Sequence, residues 1–236
     1  MLQVDRWIAQ ASQLLLPPRC LVCGEGGSPG CDLCPDCHAD LPWNYACCGR
    51  CGLPLAMAAE ACADCLSLPP PFCRTFAPLR YGFPVDRLLL RFKFHGDLAC
   101  GRELAGLMRQ AGAGIDYPQA LVPVPLHPAR LRQRGYDQAL ELAKALGRSF
   151  ALPVLDRALH RQRATGAQSE LGADARQRNV RGAFASAATW LPAHIALVDD
   201  VMTTGATVAE AAKALLRAGV QRVDVWVVAR AAAPGG

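Results

Sequence analysis

The chain has 236 residues, 52% of them hydrophobic and 19% charged. That is enough apolar surface to offset chain entropy and build a sizeable core, so a disordered protein is excluded. Its 25 Lys and Arg against 20 Asp and Glu give a net charge of +5, and no apolar run approaches the ~18 residues that a membrane-spanning helix needs, so no membrane insertion is expected.

Residues 1–18 are assigned to an N-terminal helix. They include Asp5 and Arg6 and only a short apolar stretch at Leu14, Leu15 and Leu16. Neither the basic start nor the apolar run of a signal peptide is present, so a cytoplasmic protein is expected. Residues 19–72 are dominated by cysteine. The chain has 12 cysteines, and all but Cys73 and Cys100 lie between Cys20 and Cys65. In a cytosolic chain that density points to metal ligation before disulfides. Four C-x-x-C pairs stand out: Cys20/Cys23, Cys34/Cys37, Cys48/Cys51 and Cys62/Cys65. Each pair sets two thiolates on one tight turn, and two turns complete a tetrahedral sulfur shell suited to Zn2+. Gly24 and Gly52 follow the second cysteine of their pairs, where such a turn favours positive φ. The repetition reads as two consecutive zinc ribbons holding up to two structural Zn2+ ions. Cys31/Cys34 is a competing C-x-x-C pair, and Cys47 neighbours Cys48. Cys34-Pro35-Asp36-Cys37 has the better turn sequence, so Cys34 is preferred; the spacing alone does not choose between Cys31 and Cys34 or between Cys47 and Cys48. Cys31, Cys47, Cys73 and Cys100 are read as inert.

Pro69-Pro70-Pro71 marks a linker, and residues 73–236 form a second domain. Residues 75–81 read as a strand. Residues 85–94 and 98–108 carry apolar side chains at helical spacing. Residues 120–124 form a short buried strand, and residues 136–150 an amphipathic helix. Residues 161–178 are polar and Arg-rich and read as a mobile loop leading into a short helix. Residues 195–198 and 223–228 are buried strands flanking an Ala-rich helix, 208–218, which Gly219 stops. Strands alternating with helices imply an α/β domain with a parallel sheet, and ligands of such sheets sit beyond the carboxyl ends of the strands. From His127 to Gly182 there are eleven basic residues, ten of them Arg, against five acidic ones. Arg forks suit phosphate. If this stretch meets a nucleic-acid backbone, Arg161 and Arg163 are its candidates.

The informative segment runs from Ile195 to Thr207. An apolar strand leads into adjacent carboxylates, Asp199 and Asp200, then into Thr203-Thr204-Gly205-Ala206-Thr207, and a helix opens. Backbone N–H groups at the helix start, ringed by Thr hydroxyls, make a phosphate cradle, and Gly205 lets the backbone approach the anion. The carboxylates ahead of it can accept hydrogen bonds from vicinal sugar hydroxyls. The combination specifies a sugar phosphate. No Gly-Lys pair and no G-x-G-x-x-G occurs, so the other common phosphate loops are absent.

Val198-Asp199-Asp200-Val201-Met202-Thr203-Thr204-Gly205-Ala206-Thr207 resembles the phosphoribosyl pyrophosphate (PRPP) motif of type I phosphoribosyltransferases. The wider chain resembles the ComF family, through Leu33-Cys-Pro-Asp-Cys37, Leu41-Pro-Trp43, Phe92-Lys-Phe-His-Gly-Asp97, Val122-Pro-Val-Pro-Leu-His-Pro128, Arg134-Gly-Tyr-Asp-Gln138 and Asn179-Val-Arg-Gly-Ala-Phe184. The resemblance implies a type I phosphoribosyltransferase fold behind a double zinc ribbon, and an association with natural competence, the uptake of transforming DNA. It implies that Asp199 and Asp200 hold the ribose hydroxyls and serve catalysis, while residues 203–207 hold the 5-phosphate. Val124 and Pro125 would begin a pyrophosphate loop, with His127, Arg130, Arg132 and Arg134 neutralising diphosphate. Thr165, Gln168, Arg176, Arg178 and Asn179 would lie on a flexible loop that closes over PRPP. Mg2+ would accompany the diphosphate. Lys93 and His95 either face the site or lie on the surface. No hood with a base-stacking aromatic is evident, so the acceptor stays unnamed and two readings stand. One is a transferase moving phosphoribose to a nitrogen acceptor. The other is a non-catalytic accessory protein whose ribbons touch single-stranded DNA or a competence helicase.

Overall fold

The computed structural model describes residues 19–28, 31–163 and 180–232. The N-terminal helix assigned to 1–18 and the loop candidates Thr165, Gln168, Arg176, Arg178 and Asn179 lie outside the described residues. Two short helices come first, α1 (Pro35–Ala39) and α2 (Ala63–Ser67), each opening just after a cysteine that serves as its N-cap residue, Cys34 and Cys62.

The core is a parallel sheet of β1 (Thr75–Phe76), β2 (Leu79–Arg80), β3 (Ala120–Pro123), β6 (His194–Met202) and β7 (Arg222–Arg230). β1 and β2 follow one another along one edge of β7, and β6 and then β3 lie on its other side. The expected strand at 75–81 is therefore broken at Ala77 and Pro78, because proline has no N–H to give the ladder. The strand expected at 195–198 runs on to Met202, so Asp199 and Asp200 lie inside it rather than after it.

β6 and β7 are apolar on both faces because both are covered, as parallel sheets require. On one face Ala196, Val198, Trp226 and Val228 pack with helices α3 (Val85–Phe94), α4 (Leu98–Ala111) and α6 (Gln138–Phe150). Trp226 is buried there among the rings of Phe76, Tyr117 and Phe150. On the other face Ile195, Leu197, Val225 and Val227 pack with α7 (Ala206–Arg217). The alternation is the two-residue period of a strand read twice, once per face. The antiparallel pair β4 (His160–Arg161) and β5 (Phe184–Ala185) closes the α7 side, with Phe184 buried. A short helix, α5 (Pro128–Arg134), carries Arg130, Arg132 and Arg134 of the basic stretch. His127 caps it, its Nδ1 accepting from Ala129 N at 3.2 Å, and Pro128 at the first helical position needs no N–H partner. Among the described residues no helix is long and apolar enough to cross a membrane.

Candidate functional site

The eight cysteines of the four preferred pairs form two groups of four sulfurs. Cys20, Cys23, Cys34 and Cys37 make one, and Cys48, Cys51, Cys62 and Cys65 the other, with all four sulfurs of a group within 4.8 Å of one another. Cys23 and Cys34 sulfurs are 3.7 Å apart, as are those of Cys51 and Cys62. Four sulfurs at the ~2.3 Å bond length of Zn–S, set tetrahedrally, stand about 3.8 Å apart, so both groups fit structural Zn2+. Burial opposes charge on Cys20, yet backbone N–H groups around its sulfur outweigh it and bring the thiol down to about 6. Cys48 is likewise brought to about 7, with Cys62 N 3.1 Å from its sulfur. Cys31 stands outside the first group. Its thiol donates to Glu103 Oε1 at 3.0 Å, and burial pushes it up to about 11. Cys47 stands outside the second, its thiol raised by burial.

Beyond the carboxyl ends of β3 and β6 opens a cavity of about 760 Å3. One wall is the turn from β6 into α7, Thr203 to Thr207. Gly205 adopts φ +78°, a conformation that side chains other than glycine's rarely tolerate, and thereby starts the helix. The lining also includes Arg130 and Arg134 from α5, Arg161 from β4, and Val124 and Pro125, which follow β3. Arg134 Nη1 donates to Gln138 Oε1 at 2.7 Å, and its guanidinium lies 5.2 Å from the Phe94 ring centre. Arg161, one of the two candidates for a nucleic-acid contact, is buried over the Phe184 ring and lines the cavity. Arg132 is exposed and not part of the lining, and His95 is an exposed residue closing α3.

Asp199 and Asp200 line the same cavity. Lys93, from α3, reaches in and sets its Nζ 2.8 Å from Asp200 Oδ2. Burial opposes ionisation of Asp200, but the ammonium beside it prevails and holds the carboxyl below its usual range. Asp199 shifts the other way: burial and the neighbouring Asp200 charge push its carboxyl well above the usual range. Asp137 caps α6 by accepting from Leu140 N at 3.2 Å and ties down the loop after β3 through Leu126 N at 2.9 Å. The site thus has one carboxylate held ionised and one held toward its neutral form, in a cavity also lined by the start of α7 and by arginines. Sequence reasoning left Lys93 undecided and missed Tyr81, Leu90 and Phe94 of the lining, since each reads locally as an ordinary core or helix residue.

Comparison with known proteins agrees with both halves of the molecule. The double zinc ribbon domain matches residues 11–66. Competence protein F of Haemophilus influenzae is 35% identical over 208 residues, covering 84% of this chain and 90% of that protein. The chain belongs to the ComF family. DNA utilization protein YhgH of Escherichia coli K12 is 33% identical over 224 residues, covering 92% of this chain and 99% of its own. Competence protein ComFC of Streptococcus pneumoniae is 30% identical over 141 residues, 59% of this chain and 60% of that one. The ComF chain described here has an α/β domain with a parallel sheet behind two four-cysteine groups, an arrangement consistent with a phosphoribosyltransferase-like fold.

Proposed function

We propose that the cavity binds PRPP with Mg2+, and that the protein acts in competence and DNA utilisation as a phosphoribosyltransferase toward a nitrogen acceptor. The observation that carries this reading is the bipolar cavity. A helix-start loop at residues 203–207, three arginines, Arg130, Arg134 and Arg161, and the carboxylates Asp199 and Asp200 all line one cavity. A ribose with one phosphate at its 5-position and a diphosphate at its anomeric carbon matches that set of groups in charge. The loop takes the 5-phosphate, the carboxylates take the ribose hydroxyls, and the arginines take the diphosphate. In transfer, the bond from the anomeric carbon to diphosphate breaks, a bond to the acceptor nitrogen forms, and diphosphate leaves with the electron pair. The acceptor's proton goes to a carboxylate or to water. Mg2+ enters as a charge partner of the diphosphate. The names of the relatives, competence protein F and DNA utilization protein, support the biological setting. Isothermal titration of the zinc-loaded protein with PRPP and Mg2+ should give one site per chain, with ribose 5-phosphate and diphosphate each binding more weakly alone. No heat from PRPP at any concentration up to millimolar would refute the reading.

A second reading, direct contact with single-stranded DNA, is favoured by one feature of the ribbons. Trp43 and Tyr45 stack with ring centres 6.1 Å apart and planes 24° apart, and Tyr45 is 82% exposed. Base stacking on such a surface contributes about 1–3 kcal/mol per base and is indifferent to sequence. Oligonucleotide affinity should fall steeply with salt, and Tyr45→Ala should weaken it. Equal affinity for Tyr45→Ala and wild type would remove this surface from the account.

A further inference from the structure

The turn that carries Cys48 and Cys51 is held by the rest of the chain at four successive carbonyls. Gly49 O accepts from Thr75 N at 3.2 Å and Arg50 O from Thr75 Oγ1 at 2.6 Å. Cys51 O accepts from Arg230 Nε at 2.9 Å, and Gly52 O from Asn44 Nδ2 at 2.8 Å. Asn44, Thr75 and Arg230 are all buried. Arg230 ends β7, and its other arm reaches the opposite way. Nη1 donates to the carbonyls of Met202 at 3.2 Å, Ala231 at 2.6 Å and Thr203. Met202 and Thr203 begin the turn that forms the loop wall of the cavity. The guanidinium is one rigid plane, so the carbonyl of a cysteine turn and the carbonyls of the loop cannot shift independently without breaking bonds to a buried cation.

We propose that Arg230 is a positioning residue that makes the shape of the 203–207 loop depend on an intact second four-cysteine group, so that loss of metal there weakens anion binding at the loop. This rests on the reading of that loop as the 5-phosphate cradle. The coupling is a free energy between two sites and is therefore reciprocal: PRPP should also strengthen retention of the second metal ion against a chelator.

The test uses the full chain and two readouts: hydrogen exchange of the 203–207 amides, and calorimetric affinity for PRPP with Mg2+. Cys65→Ser, with zinc content reduced by one ion, should speed exchange of the loop and weaken PRPP by about tenfold. Arg230→Gln should do the same with both zinc ions still bound, and Arg230→Lys should recover part of the loss. The double variant should lose no more than either single one, because the second substitution removes a link already broken. Loop exchange in Cys65→Ser equal to wild type, or full additivity in the double variant, would overturn the proposal. If Cys65→Ser does not fold, unchanged loop exchange in Arg230→Gln overturns it. Absence of PRPP binding in wild type with the exchange coupling intact would sink the ligand assignment and leave the Arg230 link standing.

Discussion

Lys93 and Asp200 show what a buried ion pair does at a site that must hold two adjacent carboxylates. Two ionised aspartates side by side repel in a poorly solvated cavity, and the ammonium resolves the conflict by fixing the charge on one of them. Breaking a fully buried pair by removing one partner costs about 3–5 kcal/mol. The cost here should be smaller, since a third of the Lys93 side chain meets solvent. Its pH dependence has a definite sign. In wild type the depressed Asp200 carboxyl contributes stability that is present above the usual carboxylate range and lost as pH falls through its folded value. In Lys93→Met that carboxyl would be raised instead, so the folded state would favour the neutral form. The variant should therefore lose little stability near pH 4 and progressively more toward pH 8, as read by thermal unfolding of both proteins across that range. A loss that is constant with pH would mean that the pair does not set the Asp200 charge.

The elements divide into those legible in the sequence and those that only tertiary context reveals. The second strand–helix unit of the sheet was legible, because His194–Met202 is a largely apolar run and Ala206–Arg217 begins at a glycine. The four cysteine pairs were legible because tetrahedral thiolate ligation leaves a spacing that little else produces. The break at Ala77 and Pro78 was signalled by the proline, but the aromatic and apolar residues around it argued for one strand. α5 was legible only as one of two readings of its arginines, because its seven residues carry three of them and no buried side chain, so it has no apolar period to read. Arg230 was invisible, since nothing in a terminal strand residue announces bonds to a cysteine turn 179 residues earlier. Turn sequence alone favours Cys34 over Cys31, and the structure adds the reason: Cys31 is engaged by Glu103. Each ribbon should therefore bind its metal separately. Metal analysis should find two zinc ions per chain, and Cys48→Ser should remove one while Cys31→Ser removes none. Loss of zinc in Cys31→Ser would contradict the ligand sets.

At the scale of the whole molecule, the ribbons are not a detached module. The first packs against α4, where Glu103 accepts from Cys31 and from Asp32 N at 2.9 Å, and Arg91 of α3 donates to Leu21 O. The second is fixed to the sheet by Thr75 of β1 and Arg230 at the end of β7. Metal binding energy is folding energy in such small sulfur-held units, so two rigid blocks brace the helix that carries Lys93 and the strand that ends at the loop. One cavity brings together the helix-start loop 203–207, the arginines of α5 and β4, and a pair of carboxylates. Under the PRPP reading the loop and the arginines each take their own half of the ligand, which is open to direct test. Calorimetric titrations of Gly205→Val and of Arg130→Ala/Arg134→Ala should be run with ribose 5-phosphate and with Mg2+-diphosphate separately. Gly205→Val, with a branched side chain forced into φ +78°, should lose ribose 5-phosphate and keep diphosphate. The double arginine variant should do the reverse, and both should lose PRPP. Equal losses of both half-ligands in both variants, or none in either, would contradict the account.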